Sequence, residues 1–80
     1  MYSVKVSVML KEGIADPQGQ TIERALPALG FDGVHGVRVG KLITLNLDAN
    51  DQDDAHSRAV DMCDKLLANP VIESFEVSVS

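Results

Sequence analysis

The stretch from Tyr2 to Leu10 alternates without interruption, with Tyr2, Val4, Val6, Val8 and Leu10 on one side and Ser3, Lys5, Ser7 and Met9 on the other. A period of two held for this long defines a strand buried on one face and excludes a helix. Such a strand needs hydrogen-bonded neighbours and a cover for its valines, and the rest of the chain has to supply both. With 80 residues in all, the chain has room for one small domain and not for two, so residues 1–80 are read as a single unit.

Two further stretches alternate. Leu42 to Leu47 places Ile43, Leu45 and Leu47 on one face, and Val71 to Val79 does the same with Phe75, Val77 and Val79. Val37 and Val39 flank Arg38 and suggest one more short strand, with Gly40 and Lys41 as a two-residue turn into Leu42. Asp16 and Pro17 supply an N-cap oxygen and a first-turn proline, so a helix is predicted to begin there. Its apolar stripe is Ile22, Ala25, Leu26 and Leu29, Gly30 suits a left-handed C-cap, and Pro27 predicts a kink or an early end. A second helix follows the polar turn Asp48–Asp54, with Ala55, Ala59, Met62, Cys63, Leu66 and Leu67 as its stripe and Asn69 and Pro70 as its stop. Asp54 with Arg58, and Asp61 with Lys65, are spaced for ion pairs on its wet side. The order βαββαβ predicts an α+β, ferredoxin-like fold: a four-stranded antiparallel sheet with both helices on one face.

Charge narrows the partners. Twelve acidic against seven basic side chains leave a formal charge of -5, which repels nucleic-acid phosphates and anionic lipid. No apolar run approaches the roughly 20 residues of a membrane helix, and no basic-then-apolar leader pattern is present, so a cytosolic protein is expected. Cys63 is the only cysteine. No internal disulfide can therefore support so short a chain, and an uncovered sheet with open edges predicts a homodimer or larger assembly.

Reactive groups are scarce. Cys63 would need a base, and His56 lies seven residues earlier, about 10 Å along a helix and out of hydrogen-bond reach. Asp48, Asn50, Gln52 and Asp54 alternate like a calcium loop, but Asp53 stands where the turn glycine belongs and Ala59 where the bidentate glutamate belongs. There is no CxxC and no histidine pair at metal-ligand spacing. Gly30, Gly33, Gly36 and Gly40 fit neither dinucleotide nor phosphate-loop spacing. Lys11, Arg38 and Lys41 form the one basic cluster of an acidic chain, suited to an anionic ligand or an acidic partner. With three aromatics in all, Tyr2, Phe31 and Phe75, RNA recognition on an open sheet is excluded. Residue chemistry alone therefore points to a non-catalytic binding or assembly module.

Four segments carry a resemblance. Lys11 to Gly19 (KEGIADPQG), Ala28 to Gly30 (ALG), Val37 to Lys41 (VRVGK) and Cys63 to Glu73 (CDKLLANPVIE) resemble, in order and across essentially the whole chain, the PurS family, the small subunit of phosphoribosylformylglycinamidine synthase. The resemblance implies a βαββαβ subunit that forms homodimers or homotetramers and acts in de novo purine biosynthesis. There it bridges a glutaminase (PurQ-type) subunit, which releases ammonia, and a synthase (PurL-type) subunit, which uses it. It also implies no activity of the chain alone and no cofactor bound by it, with ATP and Mg used by the synthase subunit. Partner contacts are expected where the resemblance falls on loops: Lys11, Asp16, Gln18 and Gly19, then Arg38, Gly40 and Lys41, then Asn69 and Pro70. Two other readings share the expected topology. An ACT-like sensor of a small molecule would bind near the loop after the first strand, which Gly13 permits. An acylphosphatase-like enzyme would need an arginine in that loop, and none is there.

Overall fold

The computed structural model describes residues Met1–Ser80. β1 (Tyr2–Leu10) lies at the centre of a three-stranded antiparallel sheet, between β2 (Gly40–Leu47) and β3 (Glu73–Val79). Val6 stands opposite Ile43 on one side and Val77 on the other, so the apolar residues of all three strands share a face. On that face Val4, Val6 and Val8 are almost completely buried.

Their cover is α2 (Gln52–Met62) and the residue that follows it, which present Ala55, Ala59 and Cys63, all fully buried. Small side chains on the helix allow close approach to the branched valines, and Ile43, Leu45, Leu47, Leu67, Phe75, Val77 and Val79 close in around them. α2 starts where the sequence indicates. Asp51 is its N-cap and accepts the Asp54 N–H at 2.8 Å, and the Asp54 carboxylate meets Arg58 Nε at 3.3 Å. The acids of this turn serve the helix end.

Beyond Met62 the helix widens into a π turn over Cys63–Leu67, and the Ala68 N–H donates to the Cys63 carbonyl at 3.1 Å. The extra residue in this turn rotates the stripe. Leu66, expected inside, is 83% exposed, and Ala68 takes the buried place. The Asp61–Lys65 pair expected on the regular helix is not formed.

The expected four-stranded sheet is corrected to three strands. Val37–Val39 is not a strand, and Gly40 is not a turn residue but the first residue of β2, with no left-handed φ. The reason lies in α1 (Pro17–Ala25). The Val37 N–H donates to Glu23 Oε1 at 2.9 Å and the Val39 N–H to Asp16 Oδ2 at 2.8 Å. Carboxylates of the helix thus take the donors that a hairpin ladder would have used. Gly40 is required for another reason: a Cβ there would sit 2.6 Å from the Val8 carbonyl oxygen.

The expectation of two helices on one sheet face also fails. α2 packs on β1 and β3, whereas α1 has no comparable packing with any strand. As anticipated at Pro27, α1 gives way to a 3-10 turn at Pro27–Leu29, capped by Gly30 at φ 94°. Residues 11–39 form an arm beyond the sheet. The Cα radius of gyration is 16.1 Å and the long axis 51 Å, whereas a compact chain of this size would have a radius near about 12 Å.

The side chain of Val6 is fully buried in a core cluster of six buried residues. Val6→Ala is expected to cost about 2 kcal/mol, the magnitude of a truncation that leaves a cavity, read as a lower urea midpoint at unchanged slope.

Candidate functional site

Three separate loops meet at one end of the sheet, where β1 finishes at Leu10 and β2 and β3 begin. The first is Lys11–Asp16. The Lys11 N–H donates to the Ile72 carbonyl at 2.8 Å, and Lys11 Nζ reaches the Pro70 carbonyl at 2.7 Å. The second is the return from α1. Arg38 Nη2 donates to the Leu10 carbonyl and, at 3.3 Å, to that of Lys11. The third is the turn Asn69–Ile72. Asn69 Oδ1 accepts the Val71 N–H at 3.0 Å, and Glu73 Oε1 accepts the Asn69 N–H at 2.7 Å. The last carbonyls of β1 and the turn after α2 would otherwise lack protein donors, so Lys11 and Arg38 here serve as staples.

Asp16 ties the arm to this end. Its Oδ1 accepts the Gly19 N–H at 2.9 Å as a helix N-cap, and its Oδ2 accepts the Val39 N–H. Those two amides, with the Arg38 charge as a smaller contribution, hold the Asp16 carboxyl below the usual aspartate range. Gly19 is buried because the return segment passes directly over it: a Cβ there would lie 2.5 Å from the Val37 carbonyl oxygen. Gln18, Gly40 and Lys41, together with Val8, Leu10, Val39 and Glu73, line an open cleft of about 270 Å³.

All nine residues singled out from the sequence therefore fall in one region, but with different duties. Lys11, Asp16, Arg38, Asn69 and Pro70 supply polar groups to internal hydrogen bonds, and Gly19 and Gly40 permit close approaches. Gln18 and Lys41 face the cleft with their polar groups unused by the protein. Sequence reading missed Glu23 and Glu73. Glu73 was legible, because it continues the inward-facing series of Phe75, Val77 and Val79 and so is a carboxylate on an apolar face. Glu23 had no such signal, since its role is set by a segment 14 residues later. Cys63, at the other candidate position, is enclosed in the core, and burial, reinforced by Asp64, pushes its thiol pKa up, away from a reactive thiolate.

Comparison with known proteins covers nearly the whole chain. Residues 3–80 match the family model PurS, phosphoribosylformylglycinamidine (FGAM) synthase. The phosphoribosylformylglycinamidine synthase subunit PurS of Methanocaldococcus jannaschii is 40% identical over 79 residues, 99% of this chain and 95% of that protein. The subunit of the same name from Bacillus subtilis is 43% identical, over 99% of this chain and 93% of its own length. Among solved structures, M. jannaschii PurS superposes with a TM-score of 0.91 over 100% of this chain and 96% of that one, at 40% identity. A chain of the PurLQS structure from Thermotoga maritima does so with a TM-score of 0.90 at 33% identity, over 99% and 96%.

The depressed Asp16 pKa fixes the sign of a pH effect. A carboxyl whose folded pKa lies below its unfolded one stabilises the fold at pH values above the ordinary aspartate range, and that contribution is lost as pH falls through the folded value. Between about pH 5 and pH 2 the amides of Gly19 and Val39 are expected to lose hydrogen-exchange protection before those of β1. In Asp16→Asn the acid-dependent step disappears, with Val39 poorly protected at every pH.

Proposed function

Because this chain belongs to the PurS family of phosphoribosylformylglycinamidine synthase subunits, we propose that the sheet-end cluster is where it meets its partners and that it works as a non-catalytic bridge. The chain is the PurS subunit of FGAM synthase in purine biosynthesis, and it functions in a complex with synthase and glutaminase subunits. The observation that carries the bridging role is the likeness along 99% of the chain to a component of a PurLQS assembly.

Bridging has a physical rationale. Ammonia set free by a glutaminase is mostly protonated in neutral water and dilutes as it diffuses, so its use elsewhere requires docked sites and a shielded path. A subunit for that task needs fixed geometry and exposed loops, not a nucleophile. Lys11, Arg38, Asn69 and Pro70 lie on such loops, Gln18 and Lys41 stand beside them at the starts of α1 and β2, and Asp16, Gly19 and Gly40 set their shape. ATP and Mg belong in this proposal to the synthase subunit. No helix is long and apolar enough to cross a membrane, and we place the complex in the cytoplasm.

The proposal includes a second copy of the chain. The arm exposes Leu29 at 70% and Phe31 at 58%, with Ile22 also uncovered, while Ile43, Leu45 and Leu47 of edge strand β2 are only half-buried. The arm of one copy laid on the β2 side of another covers both surfaces, and a two-fold axis makes the exchange reciprocal.

Reconstitution tests the bridge. Omitting this chain from a mixture with the two larger subunits is expected to abolish FGAM formation from glutamine while sparing most of that from ammonium salt; equal glutamine-dependent rates with and without it would refute the role. For the self-association, Leu29→Asp combined with Phe31→Asp is expected to shift the sedimentation coefficient to that of a monomer while the far-ultraviolet circular dichroism stays unchanged.

A further inference from the structure

The cleft at the end of the sheet carries a charge pattern that subunit docking does not require. Strand register places Lys41 beside Val8 and Glu73 beside Leu10, on the same face as the buried valines. That face is otherwise apolar, yet its two edge strands each contribute one charge, of opposite sign, to the cleft lined by Val8, Leu10 and Val39. β2 and β3 lie two strand spacings apart, about 9.6 Å, and the two side chains form no ion pair. They flank the apolar floor instead of neutralising each other.

The remaining hydrogen-bonding capacity is specific. Glu73 commits Oε1 to the Asn69 N–H and keeps Oε2 free. Lys41 Nζ has no acceptor within the protein, and neither does the Gln18 amide at the arm side of the cleft. Covering two unpaired charges with an apolar protein surface would cost their desolvation. A ligand that brings its own pair of charges replaces the lost water directly. The volume of about 270 Å³ is just under the range of about 300 Å³ and above typical of drug-sized sites, so a small metabolite fits within it.

The geometry points to a binding site for a free α-amino acid in its zwitterionic form, with its carboxylate toward Lys41, its ammonium toward Glu73 Oε2, and a polar side-chain end toward Gln18. The cleft belongs to the end assigned above to partner contacts, so occupancy there links amino-acid supply to assembly. That link rests on the bridging role; the binding itself does not.

The test is a titration of the full, nitrogen-labelled chain followed by NMR, using glutamine and glutamate as ligands and succinate and putrescine as probes that carry charge of one sign only. Saturable shifts confined to the amides around Val8, Gly40, Lys41 and Glu73 are expected with at least one of the amino acids and with neither control. Lys41→Gln and Glu73→Gln are each expected to weaken binding by about tenfold or more. Glu73→Gln retains an acceptor for Asn69, so the turn stays intact and the loss reports the charge. Absence of saturable shifts with both amino acids, equal binding of either control, or unchanged binding in both variants would overturn the assignment. None of those results alters the reconstitution outcome on which the bridging role is judged.

Discussion

One aspartate carboxylate determines the course of nearly a third of this chain. Asp16 accepts amide hydrogens from Gly19, three residues on, and from Val39, 23 residues on. The first bond starts α1, and the second brings the chain back to the place it left. With Glu23 holding Val37 in the same way, the return segment is bound to the helix before it reaches the sheet. β2 therefore begins at Gly40, directly beside β1, and the outer edge of β2 is left without a neighbour. The arm, the shortened sheet and the cleft between them all follow from where these carboxylates spend their acceptors. Bonds from backbone amides to an ionised carboxylate are stronger than those between neutral groups, which is why a short polar side chain outcompetes a two-residue ladder here.

The energetics of the rest are those of a thin structure. The extents of 51 × 25 × 14 Å leave room for one sheet and one covering helix. Burial is concentrated in Val4, Val6 and Val8 against Ala55, Ala59 and Cys63, and no polar side chain is buried. So small a core supplies little beyond the conformational entropy it has to offset. Apolar residues left outside it include Ile22, Leu29 and Phe31 on the arm, half-buried Ile43, Leu45 and Leu47 on the free edge strand, and Leu42, Leu66 and Val71 elsewhere. An isolated copy thus carries uncovered apolar surface on both sides of the gap between arm and sheet.

What could be read from the sequence was what is decided locally. The alternation of Tyr2–Leu10, the Asp16 cap, the break at Pro27 and the left-handed Gly30 each depend on neighbours within a few residues, and each is found as read. What failed depended on competition at a distance. Val37–Val39 has strand chemistry, but its donors were claimed by Asp16 and Glu23. Leu66 has the right spacing for a regular helix, but one π turn between Cys63 and Leu67 moved it out of phase. Gly40 resembles a turn glycine, and is needed because Val8 and Met9 pass too close for a Cβ. The candidate site shows the same division. Lys11, Arg38, Asn69 and Pro70 were recognisable as loop residues one by one, whereas the place of Gly40 and Lys41 in β2, the convergence of the set, and the conversion of Lys11 and Arg38 from free cations into staples required the register of three strands.

The distribution of charge gives the molecule two unlike ends. Gln52 Nε2 bonds to the Val79 carbonyl at 3.1 Å, which places the start of α2 at the end of the sheet opposite the cleft. There Asp48, Asp51, Asp53 and Asp54 have Arg58 beside them, whereas the cleft end combines Lys11, Arg38 and Lys41 with Glu12, Asp16, Glu23 and Glu73, a mixed and nearly balanced set. A nine-residue strand separates the two by about 30 Å, several times the roughly 8 Å over which charges act at physiological salt. The two ends therefore present unlike fields to their surroundings. The difference arises because helix-capping aspartates gather at one end of the sheet while the carbonyl-stapling cations Lys11 and Arg38 sit at the other.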